Sequence, residues 1–278
     1  MSGATRGRLH VFLGAAPAVG KTYASLQAAR LQVADHGVDV VIGLVETHGR
    51  AALATQLEGL EVVPPRRVSY RGRSFDELDL PTLLERHPHT VVVDELAHSN
   101  APGVGHEKRW QDVDQLLEAG IDVICNLNVQ HLASLSDEVE QITALAQHET
   151  VPDELVASAH RIDLVRVAPS LLRERVSAGE IFDAGSATTA LAGFFTTGRL
   201  EALDALAQRW MVEHGRPEVL GGEQGDVTAN AVAPSEHPVP ESSNSSAPSR
   251  RLVVLLSGAP EGQRLLRRAA QLAEASGS

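Results

Sequence analysis

The sequence predicts an α/β fold, a mostly parallel sheet with helices on both faces, followed by a C-terminal helical extension, a disordered linker and a terminal βα fragment. Three observations predict it. Short apolar runs such as Val91-Val92-Val93 recur along the chain, as in strands buried on both faces. They alternate with helical patterns, so crossovers join successive strands. The first run ends in a Gly- and Ala-rich loop that opens a helix, Gly14-Ala15-Ala16-Pro17-Ala18-Val19-Gly20-Lys21-Thr22.

Leu9 to Leu13 reads as the strand feeding this loop, and Lys21 to Ala34 as the helix leaving it. Val38 to Val45 is a second, apolar strand and Arg67 to Tyr70 a weak third. Thr90 to Val93 is a short buried strand, followed by strands over Ile121 to Asn126 and Ile162 to Val167. Helices follow over Ser170 to Ala178, Ser186 to Phe195 and Leu200 to Glu213, so the main domain is expected over residues 6–215. Residues 216–249 are expected as a disordered linker, because from 217 onward they are rich in Pro, Gly and Ser and contain no Lys or Arg. Residues 250–278 hold one strand, Arg251 to Leu256, and one amphipathic helix, Gly262 to Ala275. A lone βα unit cannot bury both faces of its strand, so this tail reads as the start of a truncated second domain or as a piece that docks elsewhere.

The 278 residues suffice for one large α/β domain plus a fragment. Aromatic residues make up 3%, so Ala, Leu and Val must build the core. The net charge of -12 argues against a nucleic-acid partner, whose phosphates would repel it. Cys125 is the only cysteine, which excludes an intrachain disulfide and suits a reducing cytosol. No apolar run approaches the roughly 18 residues that span a bilayer, and the N-terminus lacks an apolar signal region. A soluble, cytoplasmic chain is the expectation.

Only two of the 24 Lys and Arg residues are Lys, and one of them is Lys21. A phosphate-binding loop uses Gly, four residues, then Gly-Lys-Ser/Thr, with the compact ammonium reaching the β- and γ-phosphates. Gly20-Lys21-Thr22 matches its end, while Ala15 occupies the first glycine position and Gly14 precedes it. The context of strand, loop and helix is that of a P-loop NTPase-like fold, whose helix N-terminus presents N–H groups to phosphate oxygens. A lysine about 4 Å from a phosphate charge contributes roughly 4 kcal/mol at an effective dielectric near 20, more than the helix terminus alone. Thr22 would place its hydroxyl on Mg²⁺. The bland alternative is an ordinary strand–turn–helix.

Val91-Val92-Val93-Asp94-Glu95 is the natural complement, a buried strand delivering carboxylates to the sheet's C-terminal edge. Asp94 would hold Mg²⁺, and Glu95 is the candidate catalytic carboxylate, orienting or deprotonating a water. Glu46, Asn128 and Gln130 follow other strands on that edge and read either as γ-phosphate sensors or as ordinary loop polarity and helix caps. His131 reads as a packed or capping histidine and Cys125 as a small buried hydrophobe. The loop 100–109, with Lys108 and Arg109, reads as a basic lid or as a solvated surface loop. Neither lysine follows an Asn, so the common guanine-specific segment is absent.

The segments GAAPAVGKTYA, GVDVVIGLVETHGR, VVVDELAHSNAPG, KRWQDVDQLLEAGIDV, NLNVQHL and VEQIT…ETVPD occur in this order. Over about residues 6–215 the chain closely resembles the N-terminal cytoplasmic domain of the KdpD osmosensitive potassium-channel sensor histidine kinases. The tail from Arg251 resembles the opening of the universal-stress-protein-like domain that follows in that family. The resemblance implies an ATP-binding regulatory input to a two-component system that senses potassium limitation and osmotic stress. It implies modulation of the kinase/phosphatase balance and, through a response regulator, of the expression of a potassium pump. Gly20, Lys21 and Thr22 match the family's phosphate loop, and Asp94 and Glu95 its acidic motif. Ala18 stands where the family usually has Gly. If that position needs a positive φ, Ala costs about 1–2 kcal/mol there.

The family's full proteins carry membrane, phosphoacceptor and kinase segments that these 278 residues do not contain, so a fragment or a free-standing sensory domain is expected. The expected partners are ATP with Mg²⁺, the kinase and membrane portions of the same or a partner sensor, and a second copy of the chain. Alternatives are a slow ATPase or small-molecule kinase of the P-loop type, and a protein-interaction platform that binds no nucleotide.

Overall fold

A computed structural model describes residues 5–47, 50–179, 181, 184–215 and 219–220. In chain order it places β1 (Leu9–Gly14), α1 (Lys21–His36), β2 (Val40–Leu44), α2 (Ala51–Leu57), β3 (Glu61–Val62), β4 (Arg66–Tyr70), β5 (Arg73–Glu77), α3 (Leu80–Arg86) and β6 (Thr90–Val93). There follow α4 (Arg109–Glu118), β7 (Asp122–Asn128), two 3₁₀ turns (Val129–His131, Ala133–Leu135), α5 (Ser136–Thr143), α6 (Asp153–Ala157) and β8 (Arg161–Val165). The described chain ends in α7 (Pro169–Ser177), α8 (Ala184–Ala192), α9 (Thr197–Glu213) and β9 (Val219–Leu220).

One sheet runs in the order β3-β2-β6-β7-β1-β8-β9. Its neighbouring strands all pair in parallel. The α/β fold with a mostly parallel sheet is therefore the one the apolar runs foretold. Successive residues of a strand point to opposite faces, and here they serve two different cores. Val91 and Val93 join Val11, Leu13, Val123 and Cys125 under α4, α5 and α9. Val92 joins Phe12, Ile42 and Ile124 under α1, α2 and α7. A strand with apolar side chains on both faces has to lie between two layers of helices.

The weak strand expected over Arg67 to Tyr70 forms, but not in this sheet. It pairs antiparallel with β5 as a separate hairpin. Its residues are mostly exposed and charged, so it lacks the two apolar faces that an interior parallel strand needs. Arg71 (φ 49) and Gly72 (φ 75) make its turn, both left-handed as a two-residue hairpin turn of matching twist requires.

The C-terminal helical extension is present as α7, α8 and α9, and α9 buries Leu203, Leu206, Ala207, Trp210 and Met211 against the sheet. Val219 and Leu220, within the expected linker, pair with Leu164 and Val165. The remainder of 216–249 and the βα fragment of 250–278 lie outside the described residues. Among the described residues no helix is long and apolar enough to cross a membrane.

Candidate functional site

The loop after β1 is shaped by its small residues. A Cβ on Gly14 would meet Lys21 Cδ and Val19 Cγ2, each at 2.8 Å, because the lysine stem folds back over that backbone. Ala15, Ala16 and Val19 are buried and anchor the loop from behind. Ala18 (φ 64) and Gly20 (φ 100) both take the left-handed region. The positive φ suspected at Ala18 is thus real, and the alanine methyl costs about 1–2 kcal/mol there. Gly20 then caps α1, with the Ala24 N–H donating to its carbonyl at 3.0 Å.

Lys21 Nζ donates to Asn128 Oδ1 at 2.5 Å and reaches the Ala16 carbonyl at 3.4 Å. Burial pulls its pKa down to about 8, against the pull of Asp94 and Glu95, while Arg50 adds to the depression. Asp94 is almost fully buried and accepts three hydrogen bonds. They come from Thr22 Oγ1 at 2.9 Å, Asn126 Nδ2 at 2.8 Å and the Glu95 backbone N–H at 2.9 Å. These contacts exist because β7 lies between β1 and β6. Its Asn126 bonds the carboxylate and its Asn128 bonds the lysine.

Glu95 follows with φ 55 and a side chain 47% exposed. Burial of the rest, then Asp94 and Glu46, raise its carboxyl above the usual range. Behind it Arg109, 1% exposed, donates to the Asp94 carbonyl at 3.1 Å and pairs with Glu77 at 3.4 Å and Glu95 at 3.7 Å. Glu77 is equally buried and also accepts the Ala101 N–H at 2.8 Å.

A cleft of about 620 Å³ opens over these groups. It brings together Pro17, Ala18, Gly20, Lys21, Thr22, Asp94, Glu95 and Asn128 from the sequence-derived set. Gly14, Ala15, Ala16 and Val19 support the loop without lining the cleft. Glu46 acts on Glu95 through its charge but does not line the cleft. Gln130 donates to Gln147 Oε1 at 3.4 Å and does not line it either.

His131 does line the cleft. Its Nδ1 lies 2.7 Å from the Glu149 carbonyl and must donate to it, which leaves Nε2 as an acceptor; burial lowers its pKa. The basic lid is not what Lys108 and Arg109 form. Lys108 Nζ donates to Ser99 Oγ at 2.7 Å, and Arg109 is committed to the buried pair with Glu77. Cys125 is buried mid-strand, as its apolar neighbours foretold. Among the described residues no His, Cys, Asp and Glu cluster could hold a metal by itself.

Sequence reasoning gave no role to Tyr23, Arg50, Glu149, Leu171, Arg175 or Ile181, all of which line the cleft. Arg50 carried a faint signal as the basic residue after an apolar strand. Arg175 and Ile181 carried none, since α7 and the chain after it reach the cleft only through tertiary packing, α7 sharing a core with α1 and Phe12.

Comparison with known proteins matches this chain to one family. A family model described as "KdpD: Osmosensitive K+ channel His kinase sensor domain" matches residues 5–214. "Sensor protein KdpD" of Mycobacterium tuberculosis (strain ATCC 25618 / H37Rv) is 44% identical over 271 residues, 98% of this chain and 30% of that protein. "Sensor protein KdpD" of Escherichia coli (strain K12) is 51% identical over 205 residues, 73% of this chain and 23% of that protein. "Putative sensor protein KdpD" of Synechocystis sp. (strain ATCC 27184 / PCC 6803 / Kazusa) is 41% identical over 268 residues, 96% of this chain and 67% of that protein. The chain therefore spans less than a third of the length of the first two relatives. With the loop, the Asp94 strand and α9 all inside the matched 5–214, the chain belongs to the KdpD family of His kinase sensor domains.

Proposed function

We propose that this domain binds ATP with Mg²⁺ as a cytoplasmic regulatory input of a potassium- and osmotic-stress sensor kinase. The observation that carries the reading is the meeting of Lys21, Thr22 and Asp94 at one cleft, from segments about 70 residues apart in sequence. The residues fit the group. Lys21 and the N–H groups of the loop around Gly20 are suited to the phosphates, where fixed donors act in a partly dry site. The Thr22 hydroxyl and the Asp94 carboxylate are suited as hard oxygen ligands for Mg²⁺, and Asn126 Oδ1 is buried beside them with no hydrogen-bond partner among the described residues. Bound Mg²⁺ would neutralise phosphate charge. Tyr23, Leu171 and Ile181 offer apolar surface for the nucleoside end.

Regulation then follows from differential affinity. ATP shifts the sensor toward whichever state holds this cleft closed. The consequence is a changed kinase/phosphatase balance in the kinase and membrane portions of the same or a partner sensor protein, with a second copy of this chain as a further partner. A response regulator would carry that change to the expression of a potassium pump.

A slow ATPase is the second reading, favoured by the raised carboxyl of Glu95 at the cleft rim. A carboxylate of raised pKa can take a proton from water near neutral pH. Isothermal titration of the full chain with MgATP tests the main reading. Saturable binding that disappears in Lys21→Ala supports it. Absence of saturable binding by the wild type would leave the interaction platform as the better reading. Turnover abolished by Glu95→Gln would favour the ATPase.

A further inference from the structure

Arg50 follows β2 at the start of α2 and lines the same cleft as Lys21. Its side chain does not cap α2. Among the described residues no carboxylate or carbonyl accepts from its guanidinium. Its charge is nevertheless close enough to Lys21 to oppose protonation of the ammonium. A guanidinium keeps its charge at any physiological pH. Two cations that share a cleft repel each other until an anion stands between them.

The strand order says which part of an anion that would be. Arg50 follows β2, which neighbours β6 and therefore Asp94. Arg175, also without a partner among the described residues, belongs to α7 after β8, on the other side of β1. A nucleoside triphosphate lying across the loop, with its metal at Thr22 and Asp94, would turn its terminal phosphate toward Arg50. Its base would turn toward Tyr23, Leu171 and Ile181.

We infer that Arg50 is the specificity-determining residue that reads the terminal phosphate, so that the domain distinguishes a nucleoside triphosphate from the diphosphate. The inference rests on the proposed function and sharpens it, because a dedicated reader of the terminal phosphate makes a nucleotide site sensitive to phosphorylation state. An arginine suits the task, since its planar fork meets two phosphate oxygens at once.

The test is isothermal titration of the full chain with MgATP and with MgADP, on wild type, Arg50→Gln, Arg50→Lys and Lys21→Ala. The expected result is a wild-type preference for MgATP that Arg50→Gln removes. MgATP binding should weaken by about tenfold or more, the size of one charged hydrogen-bonding contact. MgADP binding should change by less than about twofold, and Arg50→Lys should recover part of the preference. Lys21→Ala should lose both ligands. An equal loss of both in Arg50→Gln, or a wild type that does not distinguish them, overturns the inference while leaving the nucleotide site standing. A folded wild type, checked by far-UV circular dichroism, that binds neither ligand overturns the proposed function and this inference with it.

Discussion

The hydroxyl of Thr22 donates to Asp94 Oδ2 across 2.9 Å, tying the first turn of α1 to the end of β6. A whole strand, β7, lies between their parent strands. The contact is made because Asn126 of that strand donates to the other carboxylate oxygen at 2.8 Å and holds the group in place. Asp94 is thus the hub of the candidate site, with three donors on one buried carboxylate.

On the proposed function, replacing that hub should separate metal binding from phosphate binding. Asp94→Asn keeps the shape but turns an acceptor into a donor that faces Thr22 or Asn126. Stability should fall by about 1–3 kcal/mol, the cost of a buried polar group left unsatisfied. In urea denaturation this reads as a lower midpoint at an unchanged slope. ATP affinity should become the same with Mg²⁺ and with EDTA; a metal dependence like that of the wild type would count against Asp94 as the metal-side residue.

Lys21 should make stability depend on pH and, on the proposed function, MgATP affinity as well, with opposite signs. Its pKa is about 8 in the fold and 10.5 in its ordinary state. Between those values the unfolded chain binds the extra proton, so stability rises with pH across the window. Below about pH 8 the cost of burying the ammonium is present in full. MgATP affinity should fall over the same rise, because the neutral amine no longer attracts phosphate. Lys21→Met should flatten the stability profile between pH 8 and 10.5, as followed by denaturant midpoint.

Arg109 is predicted to be structural. It and Glu77 are each 1% exposed and pair at 3.4 Å. Removing one partner of a buried pair leaves an uncompensated charge and costs about 3–5 kcal/mol. Arg109→Met should therefore destabilise strongly, and adding Glu77→Gln should recover part of the loss. Additive losses in the double variant, measured by chemical denaturation, would show that the pair does not couple.

Ala18→Gly should stabilise the loop. At φ 64 the alanine methyl is strained. Relief of about 1–2 kcal/mol exceeds the extra chain entropy of glycine, about 0.5–1 kcal/mol. A net gain of roughly 0.5–1 kcal/mol is expected in the denaturation midpoint. Tighter MgATP binding in the same variant would show that the ligand-bound loop carries the greater strain, and weaker binding that the ligand-free loop does; an unchanged midpoint would show that the loop already absorbs it.

What the sequence by itself determined was local. Apolar runs such as Val91-Val92-Val93 announced strands buried on two faces, and Gly20-Lys21-Thr22 announced the loop that turns into α1. Asp94 and Glu95 were readable as carboxylates at a strand end for the same reason. Each signal lies within a few residues, where backbone conformation and side-chain period act. Only the tertiary structure decided that β7 stands between β1 and β6, putting Asn128 on Lys21 and Asn126 on Asp94. It decided that the charged strand β4 leaves the sheet for its own hairpin. It brought Arg50, Glu149 and Arg175 to the cleft from three distant segments. Pairing order and burial depend on contacts between segments far apart in sequence. The depressed pKa of Lys21 and the cation of Arg50 facing it are consequences of that packing.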